Sequence, residues 1–197
     1  MARITAEQKA RTREDVFEAA RAEFEQLGFE GASLRAIAKR AGVATGTLFN
    51  YADGKLGLLH AIFHEDLEPL VRSTKSVARS TPVIEQIVSI FGLFFDHYAS
   101  RPDLSRVFLK ESLFSDPDAP VSFRDQAQIV ADEIQARVIE HFSQRCSTST
   151  ISPQLVTLSA VSVYYFALIS GLSGGTPNPQ QQRSLVRAQL TGLLEDR

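Results

Sequence analysis

Apolar residues recur every three to four positions in almost every stretch of this chain, which is the spacing of amphipathic helices. The strict alternation of apolar and polar residues that marks β-strands is weak throughout. A first helix is predicted from about Thr12 to Leu27, with Gly28 ending it. Short helices are predicted at Leu34–Ala41 and Thr45–Tyr51, and five or six longer ones follow. We therefore expect an all-α protein.

Capping residues set the bounds of several helices. Ser33 is the expected N-cap of the second helix. Three later helices are predicted to open with a capping residue followed by proline at the first helical position, at Thr81-Pro82, Ser152-Pro153 and Asn178-Pro179. Ser115–Pro120, rich in Pro and Asp, is predicted to be a loop.

The two short helices have the spacing of a helix-turn-helix. Small Ala38 lets two backbones approach, Gly42 tolerates a left-handed turn, and apolar Val43 and Leu48 anchor the second helix on the first. An ordinary helical corner has the same spacing. The outward positions favour DNA binding, because they carry hydrogen-bonding types with no long acidic side chain. These are Thr45, Thr47, Asn50 and Tyr51.

Residues 30–51 (EGASLRAIAKRAGVATGTLFNY), followed by residues 55–59 (KLGLL), resemble the signature of the TetR family of dimeric transcriptional repressors. The resemblance is specific over residues 12–60. It implies an N-terminal three-helix DNA-binding domain with the helix-turn-helix, followed by a C-terminal helical domain of about six helices that binds a ligand and dimerises. The expected bounds are residues 1–54, with 1–11 as a flexible basic arm, and residues 55–197.

Position by position, the resemblance implies a set of DNA contacts. Tyr51 and Lys55 are expected to grip phosphates, and Gly46 to allow close approach of the backbone. The full set is Leu34, Arg35, Thr45, Gly46, Thr47, Asn50, Tyr51 and Lys55. Two positions depart from the family pattern: Phe49 stands for the usual tyrosine and Ala52 for an aromatic residue. Both departures suggest weaker DNA binding or a recognition helix that is packed differently.

Charge is distributed in blocks that the net value of −2 conceals. Residues 1–13 and 31–55 each carry a net charge of +3, while residues 14–30 carry −5. The basic blocks bracket the predicted DNA-reading segment, and Arg3, Lys9, Arg11 and Arg13 give the arm its charge. The alternative interpretation is that this basic N-terminal segment does not contact DNA and is a solvated, disordered end.

Cysteine content and the N-terminal sequence indicate the cellular compartment. Cys146 is the single cysteine, so an intrachain disulfide and a Cys-rich metal site are excluded. The first ten residues lack the apolar run of a secretory signal. We expect a cytoplasmic protein with no cofactor.

Residues 147–182 contain no charged residue and no histidine. The run Leu155–Leu172 reaches the minimal length of a membrane span, but it carries Thr157, several serines and no flanking Lys/Arg cluster. We predict instead that helices 153–172 and 179–195 form a four-helix homodimer interface, as in TetR-like proteins. The interface residues are expected to be Leu155, Leu158, Ser159, Val161, Ser162 and Leu185.

The resemblance also implies a small-molecule pocket among the middle helices, with the helix that starts near Lys55 carrying its signal to the DNA. The aromatic residues expected there are Phe63, Phe91, Phe95, Phe108 and Tyr165, although each could be plain core. His97 is the one candidate polar anchor, so the expected effector is mostly apolar. His60 and His64 have metal-ligand spacing, but solvated histidines are far commoner and no metal is predicted.

The sequence therefore favours a ligand-responsive DNA-binding regulator that recognises a palindromic operator as a homodimer. The main alternative is a helical small-molecule-binding or interaction protein whose helix-turn-helix no longer reads DNA. A helical enzyme is a distant third, because no nucleophile elbow, P-loop or dinucleotide-binding loop is present.

Overall fold

The computed structural model describes residues 5–114, 123–144, 151–174 and 178–194, and within these ranges the chain is helical without strands. The predicted all-α class is confirmed. The predicted loop Ser115–Pro120 and Cys146 lie outside the described residues. The helices are α1 (Ala6–Gly31), α2 (Leu34–Arg40), α3 (Thr45–Leu48), α4 (Gly54–Ser73), α5 (Val83–Ser100), α6 (Pro102–Leu113), α7 (Phe123–Gln144), α8 (Pro153–Ser173) and α9 (Pro179–Leu194), with a 3-10 turn at Thr74–Ser76.

Helix α1 begins six residues before the predicted Thr12, so that prediction is wrong. Thr5 and Gln8 form a capping box, in which the Thr5 hydroxyl accepts a hydrogen bond from the backbone N–H of Gln8 and the Gln8 side chain accepts one from the N–H of Thr5. Residues 6–11, which were expected to belong to a flexible arm, are thus helical. The predicted stop at Gly28 holds locally, because this residue has φ 69° and ψ 175° and interrupts the helix.

The helix-turn-helix forms as the spacing predicts. The Ser33 hydroxyl accepts from the N–H of Ala36, and Gly42 adopts φ 68° in the turn between α2 and α3. Ala38 and Leu48 are buried where the helices meet. Helix α3 ends at Leu48 rather than at Tyr51, because Asn50 and Tyr51 donate to carbonyls only three residues back, a tighter turn than the α-helix.

The other caps are mostly as predicted. The Ser152 hydroxyl accepts from the N–H of Leu155, and the Asn178 side chain accepts from the N–H of Gln181. The exception is Thr81, whose hydroxyl donates to the carbonyl of Ala78, so that Pro82 occupies the N-cap position of α5.

Helices α1 to α3 form the N-terminal head, and α4 to α9 form the body. Helix α4 contacts α1 of the head and α5, α6 and α7 of the body, and α6 also contacts α1, so these two helices link the head to the body. Helix α5 lies at the centre of the body, with eleven buried residues, and it contacts α4 and each of α6 to α9. Helices α8 and α9 pack on each other and on α5.

Candidate nucleic-acid interface and ligand cavity

The head exposes the side chains that the sequence predicts for DNA contact at the start of α3. Thr45, Gly46 and Asn50 are exposed, and Thr47 is half-buried. At the start of α2, Arg35 is exposed and Leu34 is half-buried against the core. This surface combines neutral hydrogen-bonding groups with a cation, as base and phosphate contacts require.

The basic residues of the head differ in whether they form hydrogen bonds and ion pairs within the protein. Arg40 donates to Gln26 at 2.8 Å and lies 3.8 Å from the buried carboxylate of Glu23, so it fastens α2 to α1. Arg35 and Lys39 are exposed and form no hydrogen bond or ion pair within the described residues. These two cations are therefore free to neutralise phosphates.

Tyr51 and Lys55, the expected phosphate clamps, are both engaged inside the protein. Tyr51 is half-buried against the core. The Lys55 ammonium group donates to the carbonyls of Glu30 and Ala32, at 3.3 and 3.1 Å, and lies 4.6 Å from the centre of the Phe29 ring. Lys55 thus binds the end of α1 to the start of α4, a role that sequence spacing did not reveal.

The two departures from the family pattern differ in environment. The Phe49 side chain is 56% exposed at the end of α3, where it presents an apolar ring to solvent. Ala52 is half-buried against the core. The phenolic hydroxyl that the family places at residue 49 is thus replaced by an apolar surface next to Asn50.

Two acidic residues of α4 connect the head to the body. Asp66 pairs with Arg21 of α1 at 2.5 Å and also with Arg101, between α5 and α6. Glu65 pairs with Arg13 and Arg21, at 2.5 and 3.3 Å. Because these groups are partly shielded from solvent, a displacement of α4 at residues 65 and 66 directly perturbs α1.

A small, partly open cavity of about 40 Å³ lies between α4, α5, α7 and α8. Its wall is almost entirely apolar and aromatic, and none of its residues is charged. The lining residues are Leu67, Val71, Phe91, Phe94, Tyr98, Phe123, Gln126, Ala127, Val130, Ala131, Val161, Tyr164 and Tyr165. The volume suits a few water molecules, whereas ligand sites enclose about 300–1,000 Å³, so a ligand needs the helices to part.

Phe91 and Tyr165 line this cavity as the sequence analysis predicts. Phe63, Phe95 and Phe108 do not, and for them the expectation of a pocket-lining role is corrected to a packing role. Phe63 stacks on Phe108 with ring centroids 4.3 Å apart, and Phe95 packs on Tyr164 at 5.1 Å. Aromatic identity and helix face could not separate the two groups, because Phe91 and Phe95 lie four residues apart on the same face of α5 and only the packing of neighbouring helices distinguishes them.

The polar groups of the cavity wall are one amide and three phenols. The Gln126 amide group donates to the backbone carbonyl of His64 on α4 at 3.2 Å. Burial raises the pKa of Tyr98 and Tyr164 well above the usual value, and raises that of Tyr165, so all three hydroxyls stay protonated. The wall therefore offers neutral hydrogen-bonding groups and excludes charge.

His97 and His60 are parts of the core rather than ligands or anchors at the cavity. The Nε2 atom of each is buried without a hydrogen-bond partner among the described residues. His97 contacts the ring edges of Phe63 and Tyr98, and burial, with Arg101 nearby, lowers its pKa to about 4. Burial also lowers the pKa of His60. Within the part of the chain that the structure describes, no three His, Cys, Asp or Glu residues form a group able to hold a metal.

A continuous apolar stripe runs along the outer face of α8. Phe166 is 63% exposed, and this residue and Ile169 extend the stripe beyond the predicted Leu155, Leu158 and Ser162. Leu185 of α9 is 40% exposed. Ser159 is half-buried. Val161, which was expected at the dimer interface, is half-buried and lines the cavity.

Arginine side chains fix α9 against α5. Arg187 donates to both carboxylate oxygens of Glu85, at 2.6 and 2.8 Å, and this hydrogen bonding lowers the pKa of Glu85. Arg183 donates to Asp96 and to the carbonyl of Gly92. A Cβ atom at Gly92 would lie 2.6 Å from the Arg183 side chain, so the absent side chain makes room for the guanidinium group.

Helix α8 is the one helix among the described residues that is long and apolar enough to cross a membrane, with a mean hydropathy of 1.8. Helices α5, α6, α7 and α9 pack against it. A helix that packs against several others in a protein has this same apolar composition, and the face of α8 that these helices leave exposed is the apolar stripe described above.

Comparison with known proteins agrees with this architecture. Residues 16–62 match the family described as bacterial regulatory proteins, tetR family. The HTH-type transcriptional regulator BetI of Vibrio atlanticus is 27% identical over 160 residues, which cover 79% of this chain and 76% of BetI.

Two solved structures share the fold. FadR of Thermus thermophilus, a TetR-family repressor solved with lauroyl-CoA, superposes with a TM-score of 0.67 at 24% identity, covering 92% of this chain and 95% of FadR. FadR of Bacillus subtilis, solved with stearoyl-CoA, gives 0.70 at 15% identity, covering 91% and 98%. The head of the chain therefore matches the tetR family of bacterial regulatory proteins over residues 16–62, and the described residues have the fold of TetR-family regulators.

Proposed function

We propose that this chain is a repressor that binds a palindromic operator as a homodimer and leaves it when a mostly apolar small molecule enters the body. The observation that carries the proposal is the link made by α4. It pairs with α1 of the head through Glu65 and Asp66, and it lines the cavity with Leu67 and Val71. One helix thus joins a surface suited to DNA and a cavity suited to a ligand.

The DNA-binding part of the proposal rests on exposed groups at the start of α2 and α3. Thr45 and Asn50 offer hydrogen bonds to bases or phosphates, and Arg35 and Lys39 offer charge. A helix-turn-helix that no longer read DNA would not need to hold two cations free beside neutral hydrogen-bonding groups. This surface therefore favours DNA binding over the alternative of a helical interaction protein.

The homodimer is supported by the outer faces of α8 and α9. Leu155, Leu158, Ser162, Phe166 and Ile169 recur at helical spacing along one face of α8. An exposed apolar stripe of this length on a charge-free helix is typical of a protein interface. A second copy related by two-fold symmetry brings two apolar α8 faces together, as an isologous interface requires.

A two-fold dimer presents two α3 segments to the same side of DNA. The operator is then palindromic, with half-sites about one helical turn (roughly 34 Å) apart. A protein that binds chromosomal DNA in a bacterium works in the cytoplasm, and we expect this chain to need no cofactor and to have no enzymatic activity.

The proposed effector is a long-chain acyl thioester whose acyl chain enters the cavity. The uncharged aromatic wall suits a hydrocarbon chain with a neutral polar group, and the FadR proteins of the same fold were solved with lauroyl-CoA and stearoyl-CoA. Burial of a charged headgroup in this wall is disfavoured, because no side chain of opposite charge lines it. The nucleotide part of the thioester stays outside the cavity.

The decisive experiment measures binding of the purified dimer to its own upstream DNA by fluorescence anisotropy. Arg35→Ala and Thr47→Ala should each weaken specific binding about tenfold, while Lys75→Ala, which removes an exposed positive charge after α4, should leave it unchanged. Lauroyl-CoA at micromolar concentration should release the wild-type protein. Equal affinity for specific and random DNA would overturn the repressor assignment, and release by free CoA alone would overturn the acyl-chain assignment.

A further inference from the structure

We infer that the hydrogen bond from Gln126 of α7 to the backbone carbonyl of His64 of α4 is a latch that keeps the cavity at its small volume and that an entering ligand breaks. The inference rests on the proposed function, because it explains how occupancy of the cavity reaches the head. The bond is 3.2 Å long and joins the two helices at the cavity wall itself.

The position of the latch follows from the residues around the cavity. Gln126, Ala127, Val130 and Ala131 line it from α7, and Leu67 and Val71 line it from α4. Expansion from about 40 Å³ to the size of a ligand site must separate helices that line the cavity. A hydrogen bond between α7 and α4 lengthens and breaks when these two helices part.

The opposite end of α7 is fixed far more strongly. The buried guanidinium of Arg137 donates to the carbonyls of Thr74 and Val77, at 2.9 and 3.1 Å, and to the side chains of Gln86 and Glu133, at 2.8 and 2.9 Å. Breaking the contacts with Thr74, Val77 and Gln86 leaves the buried guanidinium with only Glu133 of its own helix as a partner, which is strongly unfavourable. The Gln126 bond is one neutral contact, so it yields first.

Helix α7 therefore has a fixed point at Arg137 and a releasable point at Gln126, about 16 Å apart along the helix. The cavity-lining residues of α7 lie toward the releasable end. A ligand can thus tilt the first part of α7 away from α4 while the Arg137 network stays intact.

The acceptor of the latch, the carbonyl of His64, lies close to a missing backbone hydrogen bond of α4. It also lies next to the residues of α4 that pair with the head. Pro69 has no N–H, so the carbonyl of Glu65 lacks the donor that the next turn normally supplies. The next two residues after His64 are Glu65 and Asp66, which pair with Arg13 and Arg21 of α1. Release of the His64 carbonyl therefore frees α4 to bend between the segment that lines the cavity and the segment that holds the head.

The latch can be tested in the full-length protein without any ligand. Gln126→Asn keeps an amide in the cavity but is one methylene too short to reach the His64 carbonyl. Gln128→Asn is the matched control, because Gln128 is an exposed residue of the same helix that donates to Asp132 within α7.

Hydrogen–deuterium exchange of the free protein is the first measurement. In Gln126→Asn, amides of residues 123–131 should exchange about three- to tenfold faster than in wild type, the range that loss of one neutral hydrogen bond produces. Residues 132–144 should be unchanged, as should the whole helix in Gln128→Asn. No acceleration, or a uniform acceleration across the protein, overturns the latch.

Release from DNA is the second measurement. Because opening becomes easier, the lauroyl-CoA concentration that releases half of the DNA should fall three- to tenfold in Gln126→Asn. If Gln126 only touched the ligand, the shortened amide would raise that concentration, and this outcome also overturns the latch. If lauroyl-CoA fails to release even the wild type, the proposed effector is wrong, and the exchange measurement alone decides on the latch.

Discussion

Arg21 and Asp66 form an ion pair between the head and the body, with Nη1 and Oδ1 2.5 Å apart. Asp66 also pairs with Arg101 at the junction of α5 and α6, so one carboxylate joins three parts of the chain. Its side chain is 19% exposed, compared with 51% for the Glu68 carboxylate that pairs with Arg72 on the surface of α4. The first pair therefore contributes more to stability than the second.

Asp66→Ala should lower the free energy of unfolding by about 1–3 kcal/mol, because Arg101 then loses this carboxylate partner and Arg21 retains only Glu65. Glu68→Ala is the matched control on the same helix and should lower it by less than about 0.5 kcal/mol. Urea denaturation followed by circular dichroism measures both. Equal effects of the two substitutions would show that Asp66 is an ordinary surface residue.

Lys55→Ala should reduce the stability of the head rather than remove a phosphate contact. The substitution deletes the hydrogen bonds to the carbonyls of Glu30 and Ala32 and the contact with the Phe29 ring. We expect weaker DNA binding with an unchanged dependence of log K on log salt concentration. A decrease of about one unit in that slope would instead show that Lys55 neutralises a phosphate in the complex.

Phe166→Glu should convert the dimer to a monomer. The substitution places a carboxylate in the centre of the apolar stripe of α8, where a second copy would bury it without a partner. Phe114→Glu is the control, since Phe114 is 88% exposed at the end of α6. Light scattering after size-exclusion chromatography should give the mass of one chain for the first variant and of two for the second. A dimeric Phe166→Glu protein would place the interface elsewhere.

Acidification should destabilise the protein partly through His97. Its pKa is about 4 in the fold, whereas an unfolded histidine titrates near 6.5. Between these values the unfolded chain takes up a proton that the folded chain does not, so stability falls as the pH falls from 6.5 to 4, by roughly 3 kcal/mol at most.

The variant His97→Gln removes this proton uptake. The loss of melting temperature between pH 7 and pH 4.5 should therefore be smaller in the variant than in wild type. Gln128→Asn, an exposed substitution on α7 that changes no titratable group, is the control and should keep the wild-type slope. Identical slopes in all three proteins would exclude His97 as a source of the acid sensitivity.

Local sequence patterns were enough to predict the helical class, the helix-turn-helix and the apolar, charge-free α8. These features depend on local rules: helical spacing of apolar residues, Gly42 in a left-handed turn, and capping by Ser33, Ser152 and Asn178. The start of α1 was predictable by the same rules, since the capping box of Thr5 and Gln8 is a local signal that the charge of the segment obscured.

The contacts that each side chain makes depend on the tertiary structure and could not be predicted from local patterns. Phe91 lines the cavity and Phe95 packs in the core although both lie on α5, because contacts with α8 set the orientation of each ring. Lys55 donates a hydrogen bond to a backbone carbonyl 23 residues away in the sequence, and Gln126 donates one to a carbonyl 62 residues away. Such contacts depend on how the helices cross, and helix crossing follows from side-chain packing over the whole body, which periodicity along one chain does not encode.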